Sequence, residues 1–207
     1  IRVVADRGRV NANADCTNQG IVVRKELYES GEVRGPEDLK GLKVAIATAN
    51  PSAYLVAAYL EQGGLTLADV EQVEMPSTSY MDAMANGSID FVSTVEPTLS
   101  QLVAAGNSVL LATMEDVVGD FQTSVIAFGK TLMTDKPDVG ARFLAAYMKG
   151  VAKYNEGKTE DNLQILSEAT GLDVEVIKNS CWLPISQDGI PDFQSIVPYM
   201  TWAVKEG

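Results

Sequence analysis

The stretch ANGSIDFVSTVEP, residues 85–97, contains a helix end, a strand and a helix start in immediate succession. Asn86-Gly87 is typical of a helix end, because glycine readily adopts the left-handed conformation that terminates helices. The apolar run IDFVSTV predicts a buried strand. Glu96-Pro97 predicts the first turn of another helix, where proline is well tolerated. We therefore expect a helix, a buried strand and the rim of a ligand cleft, in that order.

The same alternation extends on both sides of this stretch. The apolar segments LKVAIAT, DVEQVEM, IDFVSTV and SVLLAT are separated by segments with helix-capping residues and terminal glycines. The region from Leu42 to Thr113 therefore predicts an α/β fold, with a mostly parallel sheet covered by helices on both faces. Ligands of such sheets bind beyond the carboxyl ends of the strands. These ends are predicted at 48–53 and 94–96, and the C-terminal part of the chain is predicted to be helical.

The composition excludes several classes of chemistry. The chain has no histidine, which rules out His-based general bases, Ser-His-Asp triads and His-ligated zinc. Its net charge of −12 disfavours a nucleic-acid partner. Cys16 and Cys181 lie far apart without a CxxC spacing, so the residues alone are compatible with two buried thiols or with one disulfide. We predict no catalytic residue, no cofactor and no metal site.

Polar and aromatic residues at predicted helix starts and loops are candidates for ligand binding. The turn TANPSA places Thr48, Asn50 and Ser52 at a helix N-terminus, where free backbone N–H groups attract polar or anionic groups. Glu96 lies at the next helix start, where it would accept hydrogen bonds from a ligand. Ordinary capping and compensation of the helix dipole are the alternatives for these residues. Trp182, in a loop-like segment, is a candidate for ligand contact, with core packing as the alternative.

The segments at 38–65, DLKGLKVAIATANPSAYLVAAYLEQGGL, and 80–106, YMDAMANGSIDFVSTVEPTLSQLVAAG, together resemble the solute-binding proteins of ABC importers. The branch in question includes binders of nitrate, alkanesulfonates, taurine and thiamine-pyrimidine precursors. The segments IRVVADRG, IVVRKELYESGEV and AAYMKGVAKYNEG are also similar to riboflavin binders. The resemblance covers nearly the whole chain.

This resemblance implies an α/β fold like that of type II periplasmic binding proteins, with two lobes joined by two crossing strands. Residues 1–24 would form a remnant of lobe I and a crossing strand, and residues 25–121 would form lobe II with the parallel sheet. Residues 122–207 would form the return strand and the helical remainder of lobe I. Because family members carry a longer N-terminal portion, lobe I is expected to be incomplete.

The resemblance also assigns residues to the cleft. It places Glu96 and the turn from Asn50 to Tyr54 at the ligand, and Asp6 and Trp182 would contribute from lobe I. The turn ATANPSAY contains no basic residue, which favours a neutral or aromatic ligand over an inorganic anion. Export from the cytoplasm, which the family implies, favours a disulfide between Cys16 and Cys181.

The function implied is that of an extracytoplasmic solute-binding component of an ABC importer, either periplasmic or lipid-anchored. It would capture a small organic ligand, such as an aromatic or heterocyclic molecule, between its lobes and deliver it to a membrane permease. The full-length protein is expected to be a monomer. Two alternatives are an enzyme similar to thiamine-pyrimidine synthase, which relies on histidine, and the effector-binding module of a transcription regulator.

Overall fold

The computed structural model describes residues 1–11, 16–46 and 50–206. The chain forms two compact units. The first unit consists of Ile1–Asn11 and Asp120–Val197, and the second unit consists of Ala12–Gly119 and Pro198–Gly207. The lobe boundaries that the sequence predicted after residues 24 and 121 stay a prediction.

The elements follow the predicted alternation of strands and helices. The strands are β1 Arg2–Val10, β2 Gln19–Arg24, β3 Lys43–Ala45, β4 Glu71–Val73, β5 Phe91–Val95, β6 Ser108–Thr113 and β7 Phe121–Phe128. The helices are α1 Lys25–Ser30, α2 Pro51–Gln62, α3 Tyr80–Asn86, α4 Thr98–Ala104, α5 Met114–Val118, α6 Pro137–Tyr154, α7 Glu160–Thr170, α8 Val174–Asn179 and α9 Val197–Glu206. Short 3-10 turns lie at Pro36–Leu39, Leu67–Asp69 and Ser77–Ser79, and a π-helical turn lies at Thr131–Asp135.

The second unit contains a mixed five-stranded sheet with the order β4-β3-β5-β2-β6. Strand β3 is parallel to β4 and β5, whereas β2 is antiparallel to both of its neighbours, β5 and β6. Strands β3, β4, β5 and β6 therefore run in one direction, and β2 runs against them. The predicted α/β fold is confirmed, and the antiparallel β2 makes the sheet mixed.

Helices cover both faces of this sheet. Successive strand residues point to opposite sides, so apolar side chains on each face need helices to bury them. On one face, Val22, Ala45 and Val92 of the sheet pack with buried residues of α3 and α4 and the segment between α3 and β5, namely Tyr80, Ala83, Met84, Ile89, Leu99 and Leu102. On the other face, α2 contacts β2 and β5 and fully buries Leu55 and Leu60. Each buried leucine contributes roughly 1.5–3 kcal/mol of hydrophobic stabilisation.

Two glycines meet specific steric demands in this unit. Gly87 ends α3 with a φ of 74°, in the left-handed region, as the Asn-Gly pair predicted. Gly20 lies in β2, where an added Cβ would stand 2.7 Å from Leu110 Cδ1 and 2.9 Å from the Ala112 carbonyl oxygen. Only glycine therefore lets β6 lie this close to β2.

The first unit is built on the antiparallel pair of β1 and β7, and its helices α6, α7 and α8 confirm the predicted helical segment. In the 18-residue helix α6 only Gly140 and Val151 are buried, and Phe143 is 46% exposed. Other exposed apolar side chains of this unit are Ile1, Ile165, Ile190, Phe193 and Val197. Within the described ranges, no helix is apolar over a length that could cross a bilayer.

A buried carboxylate organises the interior of the first unit. Asp6 is fully buried, and its Oδ1 accepts hydrogen bonds from the Gly8 N–H at 2.7 Å and from Gln122 Nε2 at 2.6 Å. Its Oδ2 accepts from the Ser186 N–H at 2.7 Å. The Tyr147 hydroxyl donates to the Asp6 carbonyl at 2.6 Å. Asp6 thus ties together β1, β7, α6 and the loop that follows α8.

Both cysteines, Cys16 and Cys181, are disulfide-bonded. This confirms the disulfide that the family resemblance implied and excludes the alternative of two buried thiols. The chain therefore carries no free thiol.

We predict that Asp6→Asn lowers the free energy of unfolding by about 2–3 kcal/mol. The amide group that replaces one carboxylate oxygen cannot accept, so at least one buried N–H loses its partner. Urea unfolding of the variant measures this change. The control is Asp138→Asn in the same unit, whose side chain is 75% exposed and which should change stability by less than about 0.5 kcal/mol. Equal effects of the two substitutions would contradict the structural role of Asp6.

We also predict that the unreduced, denatured chain takes up no iodoacetamide and that the reduced chain takes up two equivalents, as read by intact mass. Replacing both cysteines by serine should destabilise the fold by about 2–5 kcal/mol, since the disulfide constrains the unfolded chain. A reductant should lower the stability of the wild type and leave the serine variant unchanged. Alkylation without reduction would refute the disulfide.

Candidate functional site

A cavity of about 290 Å³ opens in the second unit where strands β3 and β5 end. This is the edge at which parallel α/β sheets bind ligands. Its lining comes from β3 and β5, the starts of α2 and α3, and the segment after β4. The lining residues are Ala45, Ile46, Asn50, Ser52, Met75, Pro76, Ser77, Tyr80, Ser93, Thr94 and Val95.

Asn50 caps helix α2 and also lines this cavity. Its Oδ1 accepts a hydrogen bond from the Ala53 N–H at 2.9 Å, which satisfies one of the free N–H groups of the first turn. Pro51 follows at the first helical position, where its missing N–H costs nothing. No described residue accepts a hydrogen bond from Asn50 Nδ2, so this amide group is available to a ligand.

Gln19 connects two serines at the cavity wall. The Gln19 side chain belongs to a residue that is only 2% exposed, and its Nε2 lies 3.0 Å from Ser52 Oγ and 3.5 Å from Ser93 Oγ. Ser52 lies in the first turn of α2 and Ser93 lies in β5. One side chain from β2 thus orients hydroxyls on a helix and on the neighbouring strand.

Further hydroxyl groups line the cavity without a hydrogen-bond partner among the described residues. They belong to Ser77, Tyr80 and Thr94. Burial raises the pKa of the Tyr80 phenol, so this hydroxyl remains protonated through neutral pH. The cavity therefore offers neutral hydrogen-bonding groups in several directions.

The rest of the lining is apolar and consists of Ala45, Ile46, Met75, Pro76 and Val95. None of the described lining residues carries a charge. In the described part of the chain, no group of three or more acidic, cysteine or histidine side chains could hold a metal ion. The arrangement is suited to holding a small molecule by hydrogen bonds and apolar contact.

The residues predicted from the TANPSA turn have different outcomes. Asn50 and Ser52 line the cavity. Thr48 lies outside the described residues. Tyr54 is half-buried and is not among the residues that line this cavity; its ring packs against Tyr199 and Trp202 of α9, with centroid distances of 5.6 Å to each.

Glu96 lies directly before the N-cap residue of helix α4, Pro97, where compensation of the helix dipole is the alternative to ligand binding. Its carboxylate accepts a hydrogen bond from the Ser100 N–H at 3.1 Å and from the Ser100 hydroxyl at 2.6 Å. The Glu96–Pro97 peptide bond is cis. These bonds satisfy the first turn of α4, where a carboxylate also meets the helix dipole favourably. Its predicted ligand contact stays a prediction.

Trp182 and Asp6, the two residues predicted from lobe I, both belong to the first unit and have partners there. The Trp182 indole donates to the Ile177 carbonyl at 3.0 Å and stacks on Tyr154 with a centroid distance of 5.0 Å. Burial raises the pKa of Tyr154 to about 12, and its hydroxyl donates to the Leu183 carbonyl. The hydrogen bond to Ile177 and the stacking on Tyr154 favour a packing role for Trp182. The hydrogen bonds of Asp6 favour a structural role.

Sequence reasoning did not select Gln19 or Ser93. A signal was present for Ser93, because Ser93-Thr94 places two hydroxyls at the end of an otherwise apolar strand, just where ligand sites are expected. Gln19 is a polar residue at the start of an apolar strand, and such residues occur at most strand ends. Only the pairing of β2 with β5 reveals that its side chain contacts two residues that line the cavity.

Comparison with known proteins identifies one family. Residues 9–157 match the family model described as NMT1/THI5 like. No curated protein sequence matches the chain.

Solved structures share the fold at low identity. The ligand binding component of an ABC-type import system from Staphylococcus aureus, with zinc bound, has a TM-score of 0.74 and 16% identity, over 99% of this chain and 67% of that one. The alkanesulfonate-binding protein SsuA from Xanthomonas axonopodis pv. citri, bound to MOPS, has a TM-score of 0.66 and 17% identity, over 86% and 58%.

An enzyme also shares this fold. A cysteine-to-serine mutant of DszB in complex with biphenyl-2-sulfinic acid has a TM-score of 0.67 and 13% identity, over 99% of this chain and 72% of that one. The fold is therefore the α/β fold of periplasmic solute-binding proteins, and the chain spans 58–72% of the length of these three structures.

We predict that Asn50→Ala lowers the free energy of unfolding by about 1 kcal/mol because helix α2 loses its cap. Asn50→Asp keeps an oxygen acceptor at the same place and should change stability by less than about 0.5 kcal/mol. Urea unfolding of the two variants tests the difference. Similar losses in both would show that the Ala53 hydrogen bond is not what Asn50 contributes.

Proposed function

The chain belongs to the NMT1/THI5-like family, and on this basis we propose that it is the solute-binding component of an ABC importer. Its role is to capture a small organic solute and present it to a permease in the membrane. The fold shared with solute-binding proteins supports this role.

The observation that carries the proposal is the cavity at the ends of β3 and β5. Its wall combines neutral donors on Asn50, Ser52 and Ser93 with an apolar side. A solute held by such groups is released unchanged, because the described lining has no nucleophile paired with a base. Reversible capture is what a transport component requires.

The proposed ligand is a small molecule with a polar end and an apolar body. The polar end binds at the start of α2, and the body contacts Ile46, Met75 and Val95. The cavity volume of about 290 Å³ lies at the lower end of the roughly 300–1,000 Å³ that is typical of small-molecule sites. This size suits a single ring or a short chain, in agreement with the aromatic or heterocyclic ligand predicted from the sequence.

We propose a ligand-binding set that is smaller than the one predicted from the sequence. Asn50 and Ser52 form its centre, and Thr48 remains part of the proposed set as their neighbour in the turn. For Tyr54 and Glu96, the observed packing and capping are the competing roles. We propose that the remaining contacts come from Ser93, Thr94 and Tyr80.

The proposed location is outside the cytoplasm, in the periplasm or attached to the cell surface by a lipid. The disulfide supports this location, because disulfides persist in oxidising compartments and are rare in the cytosol. We propose a permease as the protein partner and a monomer as the state of the full-length protein.

An enzyme is the second candidate, because DszB shares this fold. Such an enzyme would need a reactive group. The chain has no histidine and no free thiol, so histidine bases and cysteine nucleophiles are missing. A transcription-regulator module, the other alternative from the sequence, is not favoured by any contact described above.

The test is a binding and turnover assay of the 207-residue chain. The solutes are ethanesulfonate, taurine, MOPS, nitrate and riboflavin, each measured by thermal shift and calorimetry and then recovered for mass analysis. We expect at least one organic solute to bind and to be recovered unchanged.

The test variant is Asn50→Asp, which keeps the helix cap and replaces the amide donor at Nδ2 by an acceptor. We expect it to lower the affinity about tenfold or more without loss of stability. Binding that is unaffected by this change would contradict the cavity as the site, and chemical conversion of a solute would contradict transport.

A further inference from the structure

We propose that Gln19 is a positioning residue that fixes the hydroxyl groups of Ser52 and Ser93 as donors toward the cavity. The ligand group bound there is then one whose hydrogen-bond acceptors use these two protons. This inference rests on the proposed function, because it assumes that the cavity is the ligand site.

The position of Gln19 follows from the direction of its strand. Gln19 is the first residue of β2, and it pairs with Val95 at the end of β5. Side chains of Gln19, Ile21 and Val23 point to the face of the sheet that α2 covers, since strand residues alternate. The carboxamide therefore lies between Ser52 of α2 and Ser93 of β5.

The direction of these hydrogen bonds determines what the serines offer to a ligand. A hydroxyl has one proton to donate and two lone pairs to accept. Gln19 Nε2 donates to both serine oxygens and occupies a lone pair on each. No described residue accepts the proton of either serine, so both protons are available to the cavity.

Asn50 also presents a hydrogen-bond donor to the cavity. Its Oδ1 is engaged by the Ala53 N–H, which leaves Nδ2 for the ligand. Helix α2 and strand β5 therefore present an amide donor and two hydroxyl donors to one cavity. The matching ligand group is a sulfonate, a carboxylate, a sulfone or a carbonyl, whereas an ammonium or guanidinium group has no acceptor and leaves these three donors without a partner.

A double-mutant cycle with defined probes tests this assignment. The variants are Gln19→Met, Ser52→Ala/Ser93→Ala, and the combination of all three. Methionine keeps the length of glutamine and removes both N–H donors without adding charge. The probes are ethanesulfonate, dimethyl sulfone as a neutral acceptor, and methylguanidinium as a donor-only cation, each titrated by two-dimensional NMR.

We expect the wild type to bind ethanesulfonate and dimethyl sulfone and to bind methylguanidinium about tenfold or more weakly, because the donors of the cavity wall then stay without a partner. Gln19→Met and the double serine variant should each weaken ethanesulfonate binding about tenfold. In the combined variant Gln19→Met should add less than about a twofold change, because residues that act through one another are not additive. The matched control Gln101→Met, on the exposed side of α4, should leave all affinities unchanged.

The proposal is overturned if Gln19→Met weakens binding by the same factor with and without the serines, since this would indicate a general structural effect. It is also overturned if Gln19→Met has no effect, or if methylguanidinium binds as well as ethanesulfonate. A wild type that binds neither acceptor probe refutes both the site and this inference. A wild type that binds ethanesulfonate and converts it refutes transport alone.

Discussion

Strand β2 is hydrogen-bonded on both sides within the sheet, and the rest of the second unit depends on this placement. Because β2 runs antiparallel to β5, its first residue meets the carboxyl end of β5. A parallel strand in the same place would have brought its last residue to that edge. Gly20 allows the close approach of β6. Gln19, which pairs with Val95 of β5, contacts the two serines of the cavity wall.

Helix capping and ligand binding compete for the same polar groups at the start of a helix. Asn50 divides the two tasks, since its oxygen caps α2 and its amide nitrogen remains available. At Glu96 both carboxylate oxygens accept from Ser100. Polar residues at two helix starts thus differ in how many of their side-chain atoms form hydrogen bonds with the helix. This number determines how many atoms remain for a ligand.

Local patterns predicted most of the elements, because helix ends and apolar periodicity are set by neighbouring residues. For this reason the helix end at Gly87, the capping role of Asn50 and the strand β5 were correctly predicted. The antiparallel entry of β2 was not predicted, since a buried strand pattern does not identify its partners. The ligand contact of Tyr54, which the family resemblance implied, stays a prediction, and the turn alone could not reveal that aromatic rings of α9 pack against this residue.

The described wall of the cavity contains hydroxyl, amide and apolar groups and no ionic group. Exchanging a hydroxyl for a methyl group there changes the number of protons that face the cavity and leaves the net charge of −12 untouched. If the cavity is the ligand site, as we propose, preference for a new solute would arise by small side-chain exchanges that leave the charge of the protein unchanged.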